Sequence, residues 1–181
     1  DRHSMAFILW QDSIMYNRAL PWGGALLTQA IEKELGMSAD KAERLKQQYS
    51  MDPHGLSPLT ETSASRPLHA QAIPGILWEI VRPQLEHLGR ELERILSYWE
   101  AQFHGAMITR VLLSGGGAAL QNLESYLQQR LAIDVARVDP LGAFAHHHGP
   151  GAGLAQLPAT ACTSALAVAL GLALRGTAGY G

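Results

Sequence analysis

The feature that most constrains the fold is a short apolar run that ends at three consecutive glycines. Residues 110–114 read Arg-Val-Leu-Leu-Ser, and Gly115, Gly116 and Gly117 then precede Ala118. Glycine has no Cβ, so it permits a sharp turn with positive φ and lets a flat ligand lie against the backbone. The pattern predicts a strand, a turn and a helix whose first N–H groups point at that turn. Taken alone, the turn is equally compatible with a ligand contact and with a plain tight connection.

The residues after the glycines predict a βαβ unit. Residues 120–131 follow a helical pattern, and residues 133–138 form a strand that stops at Asp139-Pro140. Parallel strands joined in this way bind ligands at their carboxyl ends. The predicted unit therefore places the glycine turn where α/β proteins bind ligands.

The beginning of the chain predicts a β-hairpin followed by two helices. The elements are strands at residues 5–11 and 14–20 joined at Asp12-Ser13, a helix from Gly23-Gly24 to Leu35, and a helix that follows Ser38. Asp-Ser is typical turn chemistry. Gly36 is a natural end for the first helix, and Ser38 is the expected N-cap of the second.

The second of these helices carries opposite charges on one face. Glu43 and Lys46 are three residues apart, so they are neighbours on the helix surface. A carboxylate accepts hydrogen bonds from ribose hydroxyls and an ammonium beside it adds donors, so the pair is a candidate sugar-binding site. An ordinary solvated ion pair is the commoner explanation at this spacing, and it is the glycine turn elsewhere in the chain that favours the sugar.

A long helix is predicted in the middle of the chain. Residues 50–72 are polar and rich in Ser, Thr and Pro, which predicts a flexible surface loop. Residues 73–104 place apolar side chains at helical spacing and predict one helix, kinked or broken at Pro83. Its aromatic side chains form either a partner-facing patch or part of the core, and the helical spacing favours the core for Trp78, Tyr98 and Trp99.

Composition limits the classes of protein to which the chain can belong. The chain has 181 residues, and 47% of them are apolar, which is enough to build the core of a single domain. Its formal net charge is −2, so it lacks the excess of positive charge that is typical of a nucleic-acid-binding surface or a polybasic membrane anchor. Cys162 is the single cysteine, which excludes an internal disulfide and predicts a buried, reduced thiol. The longest apolar run, at residues 159–174, would rise about 24 Å as a helix. Because a hydrocarbon core is roughly 30 Å thick, we expect a buried helix there.

The sequence carries no constellation typical of catalysis or of a metal centre. It has no Gly-x-x-x-x-Gly-Lys motif and no recognisable activated Ser or Cys. His146, His147 and His148 are adjacent in a Gly- and Pro-rich segment at residues 142–153, whereas metal sites draw ligands from separated positions. We expect an exposed loop there, and we expect this chain by itself not to be an enzyme.

Several motifs, taken together and in order, resemble the PilM family of type IV pilus assembly proteins, which belongs with FtsA among the actin-like ATPases. They are Pro21-Trp22-Gly23-Gly24 with Thr28, Glu34-Leu35-Gly36-Met37-Ser38, Ala42-Glu43-Arg44-Leu45-Lys46, the Leu-Leu-Ser-Gly-Gly-Gly-Ala-Ala-Leu run at 112–120 with Tyr126-Leu127, and residues 167–175. The resemblance covers nearly the whole chain and is weak at about residues 50–72 and 142–158.

The resemblance implies an α/β fold of the actin-like, ribonuclease-H-like ATPase type, with a mixed sheet flanked by helices. It also implies that the chain corresponds to the second of two such halves. We expect residues 1–35 and 106–181 to form the actin-like α/β subdomain. Residues 36–105 would form an inserted, mainly helical subdomain that includes the loop at about 50–72.

In this superfamily an adenine nucleotide lies in a cleft between two halves, so the resemblance implies ATP or ADP with Mg²⁺ in the intact protein. The implied nucleotide-binding residues are Ser4, Glu43, Lys46, Gly115, Gly116, Gly117 and Ala118, and the implied hinge or cleft residues are Gly23, Gly24, Ala169 and Gly171. The first phosphate loop and the acidic groups for magnesium and water belong to the other half. The chain begins Asp1-Arg2-His3-Ser4, so we expect it to start inside or just past the second phosphate loop, unless His3 replaces the glycine of that loop.

The resemblance further implies a cytoplasmic scaffold, peripheral at the inner membrane, that serves type IV pilus assembly. Its partner would be the tail of a PilN-like membrane protein, bound through the other half, and a homo-oligomer is compatible with it. No nucleic acid is expected, membrane contact is only indirect, and the intact protein would be at most a weak ATPase. Two alternatives stay open. One is a degenerate actin-like scaffold of a pilus or type II secretion platform without nucleotide, and the other is a cell-division or cytoskeletal branch.

Overall fold

The computed structural model describes residues 3–11, 13–48, 68–104 and 106–138. In these ranges two strands are followed by three helices and then by a strand, a turn, a helix and a strand. The order is β1 (Ser4–Trp10), β2 (Ser13–Leu20), α1 (Gly24–Leu35), α2 (Ala39–Gln48), α3 (Leu68–Gln102), β3 (Arg110–Leu113), a 3₁₀ turn (Gly116–Ala119), α4 (Leu123–Leu131) and β4 (Asp134–Arg137). Predictions for the apolar run at 159–174, Cys162 and the three adjacent histidines lie outside the described residues.

The predicted hairpin is confirmed. Strands β1 and β2 pair antiparallel with Ser4 opposite Leu20, and the register is irregular between Ile8 and Leu9. Side chains alternate between the two faces of a strand. Ile8 and Leu20 are buried on the inner face, whereas Phe7 is exposed on the outer face.

The predicted βαβ unit is also confirmed. Strand β3 pairs in parallel with β4, from Arg110 opposite Asp134, and α4 packs against β4. The α-helix begins at Leu123 rather than at Leu120, however, because the glycines start a separate 3₁₀ turn. After that turn Leu120 is extended and Asn122 is left-handed with φ 63°, so the chain bends before α4 can begin. In the described part of the chain the strands form two separate two-stranded sheets, one antiparallel and one parallel, and not the single mixed sheet that was predicted.

Helix α3 is longer than predicted and continuous. It begins at Leu68, so residues 68–72 of the predicted loop are helical, and it is not broken at Pro83. A proline in a helix interior costs about 3 kcal/mol. Val81 and Leu85 beside it are fully or almost fully buried, and each such side chain contributes about 1.5–3 kcal/mol. Tertiary packing therefore offsets the proline.

The core position predicted for the three aromatic residues of α3 is confirmed for Trp78 and Trp99 and is wrong for Tyr98. Trp78 and Trp99 are buried, whereas Tyr98 is 47% exposed and lies against Tyr16 of β2 with ring centroids 5.2 Å apart. The three rings therefore do not form one partner-facing patch. The buried residues of the hairpin, of all four helices and of β4 form one contiguous core, and the predicted division into two subdomains stays a prediction.

A buried carboxylate ties the hairpin to α3. Glu91 is 5% exposed and accepts a hydrogen bond from Arg18 Nη2 of β2 at 2.9 Å. Arg94, one turn along α3, binds the other carboxylate oxygen. Burial of a carboxylate is unfavourable unless it is paired and hydrogen-bonded. The two arginines meet that requirement and fix the position of β2 on α3.

The βαβ unit is attached to α3 at Gly89. A Cβ at that position would lie 2.1 Å from Arg130 Nε, so the guanidinium of α4 occupies the space beside the α3 backbone. There Arg130 pairs with Glu93, with Nε 2.9 Å from Oε1. Trp78 and Tyr126 meet edge to face nearby, with ring centroids 5.7 Å apart.

We predict that Arg18→Met destabilises the protein by about 1–2 kcal/mol. The substitution keeps the aliphatic stem but leaves the buried Glu91 with Arg94 alone. A hydrogen bond to a charged group is worth about 1.5–3 kcal/mol, and solvent screening at the 41% exposed Arg18 side chain lowers the expected loss. Urea unfolding measures the change. The matched control is Arg137→Met, which removes a more exposed pair with Glu124 and should cost less than about 1 kcal/mol. Equal costs for the two variants would contradict the structural role of Glu91.

Candidate functional site

Helices α1 and α2 pack against each other and present Glu43 and Lys46 at their contact. Gly36 ends α1 in the left-handed conformation, with φ 61°, which glycine adopts without strain. The Ser38 carbonyl accepts the Ala42 N–H at 3.0 Å, the backbone bond of an N-cap residue. Ala42 and Ile31 are fully buried where the helices meet. The helix that carries the charged pair is thus held firmly on α1.

Lys46 is buried, and its ammonium is bound entirely within the protein. The residue is 7% exposed, and Nζ donates to the Gly24 carbonyl at 3.1 Å, to Thr28 Oγ1 at 2.9 Å and to Glu43 Oε2 at 2.6 Å. An ammonium has three N–H donors and no acceptor. All three donors of Lys46 are therefore used. Because Lys46 is buried, Glu43 and Lys46 do not form an ordinary solvated ion pair.

Glu43 differs from Lys46 because part of its carboxylate faces solvent. Its side chain is 41% exposed. Oε2 accepts from Lys46 and from Thr28 Oγ1, the latter at 2.5 Å, and Oε1 accepts from Gln47 Nε2 at 2.9 Å. Partial burial acts to raise the pKa of Glu43, but the hydrogen bonds from Lys46, Thr28 and Gln47 outweigh it and hold the pKa below its ordinary value. Glu43 is therefore ionised at neutral pH and retains acceptor capacity at Oε1.

The glycine turn has one position that requires glycine. Gly115 has φ 90° and ψ −178°, a conformation that is essentially restricted to glycine. A Cβ on Gly116 would meet nothing within 4 Å, whereas a Cβ on Gly117 would lie 3.4 Å from the Trp22 ring. The 3₁₀ turn closes with Ala118 N–H bonded to the Gly115 carbonyl at 3.1 Å, and Ala118 is buried. The turn thus has free space beside the Gly116 Cα, whereas the Trp22 ring fills the space beside the Gly117 Cα.

The segment from Trp22 to Gly24 connects the glycine turn with the charged pair. The Trp22 ring faces Gly117, and its Nε1 donates to the Gln84 carbonyl of α3 at 3.1 Å. Two residues later, Gly24 supplies the carbonyl that Lys46 binds, and a Cβ there would lie 3.3 Å from Lys46 Nζ. One tripeptide, in which Trp22 and Gly23 are buried and Gly24 is half-buried, therefore contacts both parts of the predicted site.

The remaining predicted site residues are distributed as follows. Ser4 is the first residue of β1 and is half-buried, and Gly23 precedes α1 with extended backbone. Ala169 and Gly171 lie outside the described residues. Reasoning from the sequence gave no role to Thr28 or Gln47, which complete the hydrogen bonds of Glu43. Spacing was the available signal, because Thr28 lies one helical turn after Gly24 and Gln47 one turn after Glu43.

Neither a membrane helix nor a metal cluster occurs in the part of the chain that the structure describes. No described helix is long and apolar enough to cross a membrane. The described residues also contain no group of three or more His, Cys, Asp or Glu side chains suited to a metal ion.

Comparison with known families identifies the chain. The family model described as type IV pilus assembly protein PilM matches residues 69–177, which is more than half of the sequence. The chain belongs to the PilM family. The matched range contains α3 from its second residue onward, together with the whole βαβ unit and its glycine turn.

Two solved structures are similar to this PilM-family chain. The PilM-PilN type IV pilus biogenesis complex has 25% identity and a TM-score of 0.68, over 97% of this chain and 43% of that chain. The ethanolamine utilization protein EutJ from Carboxydothermus hydrogenoformans has 14% identity and a TM-score of 0.57, over 96% of this chain and 45% of its own, and is alike in fold. The actin-like α/β fold class is thereby confirmed. The chain spans less than half the length of either structure.

We predict that the charged pair stabilises the protein less as the solution is acidified. Because the folded pKa of Glu43 is lower than its ordinary value of 4.5, its contribution is fully present above pH 4.5 and is lost as the pH falls through the folded pKa. The unfolding free energies of the wild-type protein and of Glu43→Gln should therefore converge below about pH 4.5. Urea unfolding at several pH values measures this. A difference that stays constant down to pH 3 would contradict the lowered pKa.

We predict that Gly115→Ala destabilises the protein by about 1–3 kcal/mol, because an alanine at φ 90° is strained. Gly116→Ala is the matched control, because its new methyl group meets open space. It should change the unfolding free energy by less than about 0.5 kcal/mol. Thermal or urea unfolding of both variants is the measurement, and similar losses at the two positions would show that the turn differs from this geometry.

Proposed function

We propose that the intact protein is a PilM-like, ATP- or ADP-binding scaffold of type IV pilus biogenesis, and that this chain supplies the adenine and ribose wall of its nucleotide cleft. The observation that carries the proposal is the Glu43 carboxylate. Two hydrogen bonds hold its Oε2 on α1 and α2, while the side chain is 41% exposed and Oε1 keeps an acceptor site. An ionised, oriented carboxylate is suited to the vicinal hydroxyls of a ribose.

In this proposal Glu43 contacts the sugar and Lys46 holds Glu43. A ribose hydroxyl would donate to Glu43 Oε1, next to the Gln47 amide that already binds this oxygen. Lys46 would stay behind the carboxylate, because its three donors are bound to Gly24, Thr28 and Glu43. In this proposal Lys46 therefore contributes to nucleotide binding only indirectly, through Glu43.

The adenine would lie at the glycine turn. Gly116 has open space where a side chain would stand, and the ring of the buried Trp22 lies against Gly117. A flat base can approach a backbone without side chains closely. We propose that the adenine contacts Gly115, Gly116, Gly117 and Ala118. The proposed hinge or cleft residues are Gly23, Gly24, Ala169 and Gly171.

The phosphates and Mg²⁺ would be held mainly by the part of the protein outside this chain. Ser4, at the start of β1, is the proposed phosphate contact within it. Mg²⁺ binds carboxylates together with nucleotide phosphates, and the described residues contain no acidic group of three that would hold a metal ion. The role of the residues described here is to bind and orient the nucleoside.

The proposed partner is the tail of a PilN-like membrane protein. The similar solved structure is a PilM-PilN complex, and this chain corresponds to 43% of the matched chain. We propose that the tail binds the remaining part of the intact protein and that it places the scaffold at the cytoplasmic face of the inner membrane. Self-association of the intact protein is a further part of this proposal.

A second candidate function is a scaffold that does not bind nucleotide. The observation that favours it is the burial of Lys46, since two of its three donors join α2 to Gly24 and Thr28 of α1 and the third binds Glu43 within α2. Such a cluster stabilises the fold without any ligand. Under this alternative, Glu43 would be the exposed end of a structural cluster.

We predict that Glu43→Gln in the intact protein weakens ATP binding about 10-fold or more. A hydrogen bond to a charged group is worth about 1.5–3 kcal/mol, and 1.4 kcal/mol corresponds to tenfold in Kd. Affinity for 2′,3′-dideoxy-ATP, which lacks the two hydroxyls, should be nearly unchanged. Titration of a fluorescent ATP analogue labelled on the base, with magnesium and unlabelled competitors, measures both.

Glu100→Gln, an exposed carboxylate at the end of α3, is the matched control and should leave both affinities unchanged. The 181-residue chain alone should bind ATP weakly or not at all, since it supplies only one wall of the cleft. Absence of ATP binding by the intact protein would overturn the nucleotide proposal and leave the scaffold.

A further inference from the structure

Thr28 is a buried hydroxyl at the centre of the charged pair. The residue is 8% exposed. Its Oγ1 lies 2.5 Å from Glu43 Oε2, 2.9 Å from Lys46 Nζ and 3.1 Å from the Gly24 carbonyl. It therefore contacts both Glu43 and Lys46 of α2 from a position on α1.

The hydroxyl has one proton and two acceptors within reach. Lys46 has only donors, so Thr28 Oγ1 accepts from Nζ. The proton of Thr28 then goes either to Glu43 Oε2 or to the Gly24 carbonyl. The carboxylate is charged and closer, and charge-assisted hydrogen bonds are the stronger ones, so Thr28 donates to Glu43.

This bond determines which carboxylate oxygen is left for a ligand. Oε2 accepts from Lys46 and Thr28, which fills its two acceptor sites. Oε1 accepts from Gln47 alone among these neighbours, and that bond lies at the exposed edge of the cluster. Without the Thr28 proton, Oε2 would lose one of its two anchors and the carboxylate could turn about its last side-chain bond.

We propose that Thr28 is a positioning residue for sugar recognition: its hydroxyl fixes the Glu43 carboxylate so that Oε1 faces the vicinal hydroxyls of a nucleoside. This inference rests on the proposed function. It assigns selectivity for a ribose over a sugar without hydroxyls to a residue that does not itself touch the ligand. The carboxylate is the contact, and Thr28 on the neighbouring helix sets its direction.

Thr28→Val, Thr28→Ala and Thr28→Ser in the intact protein test the inference. Valine has nearly the shape of threonine without the hydroxyl, alanine leaves room for a water molecule if valine impairs folding, and serine keeps the hydroxyl. For each variant the Kd values of ATP and 2′,3′-dideoxy-ATP are measured with magnesium, together with the unfolding midpoint. The pH titration of the Glu43 carboxyl is followed by NMR in the absence of nucleotide.

We expect the wild-type protein to prefer ATP over 2′,3′-dideoxy-ATP by about 10-fold or more, since one hydrogen bond to a carboxylate supplies that ratio. Thr28→Val and Thr28→Ala should reduce the preference several-fold and raise the pKa of Glu43, whereas Thr28→Ser should keep both close to wild type. Serine rescue separates positioning by the hydroxyl from mere packing at this site.

An unchanged preference in the valine and alanine variants, or an equal loss of affinity for both nucleotides, would overturn the positioning role while leaving the proposed function standing. A wild-type protein that binds neither nucleotide would overturn the proposed function, and the sugar-recognition role with it. In that case the titration of Glu43 still reports whether Thr28 donates a hydrogen bond to the carboxylate.

Discussion

The buried ammonium of Lys46 is the constraint on which the candidate site depends. A charge at 7% exposure requires compensation by an opposite charge and by hydrogen bonds to all its donors. Gly24, Thr28 and Glu43 supply these from two helices. Each partner is constrained in return: Gly24 leaves room for the ammonium, and Glu43 is held with one oxygen inward. The cost of burying Lys46 is thus offset by contacts that also orient the carboxylate. For this reason a structural cluster and a binding site are compatible in the same four residues.

Helix α3 constrains the rest of the fold, because the other elements are attached to it. Glu91 of α3 binds the hairpin, and the Gln84 carbonyl binds Trp22 in the segment before α1. Gly89 and Glu93 contact Arg130 of α4. The apolar side chains of α3 at helical spacing provide the long continuous surface that these elements share. The two short sheets are therefore positioned mainly by their attachment to one helix.

The sequence predicted those features that depend on local pattern. The hairpin, the end of α1 at Gly36 and the parallel strands around the glycine turn follow from alternation, from glycine at a helix end and from the βαβ spacing. It did not predict that α4 starts at Leu123, because the left-handed Asn122 reflects how the 3₁₀ turn packs. It did not predict continuity at Pro83, where burial of Val81 and Leu85 outweighs a local penalty. Nor did it predict that Lys46 is buried, since the spacing of Glu43 and Lys46 is the same in a solvated pair. The partner that decides between the two is Thr28, on another helix.

The contacts also indicate how the two parts of the site would influence each other. Gly117 lies against Trp22, Trp22 is two residues from Gly24, and Gly24 binds Lys46, which holds Glu43. A shift of the glycine turn relative to α1 would therefore act on the Trp22–Gly24 segment, which Gln84 of α3 anchors at one point. Since Lys46 has no spare donor, movement at Gly24 changes the geometry of the ammonium and hence of the carboxylate. The proposed base and sugar contacts would then be coupled through residues 22–24, and a nucleotide that makes both contacts would stabilise a single arrangement of α1, α2 and the glycine turn.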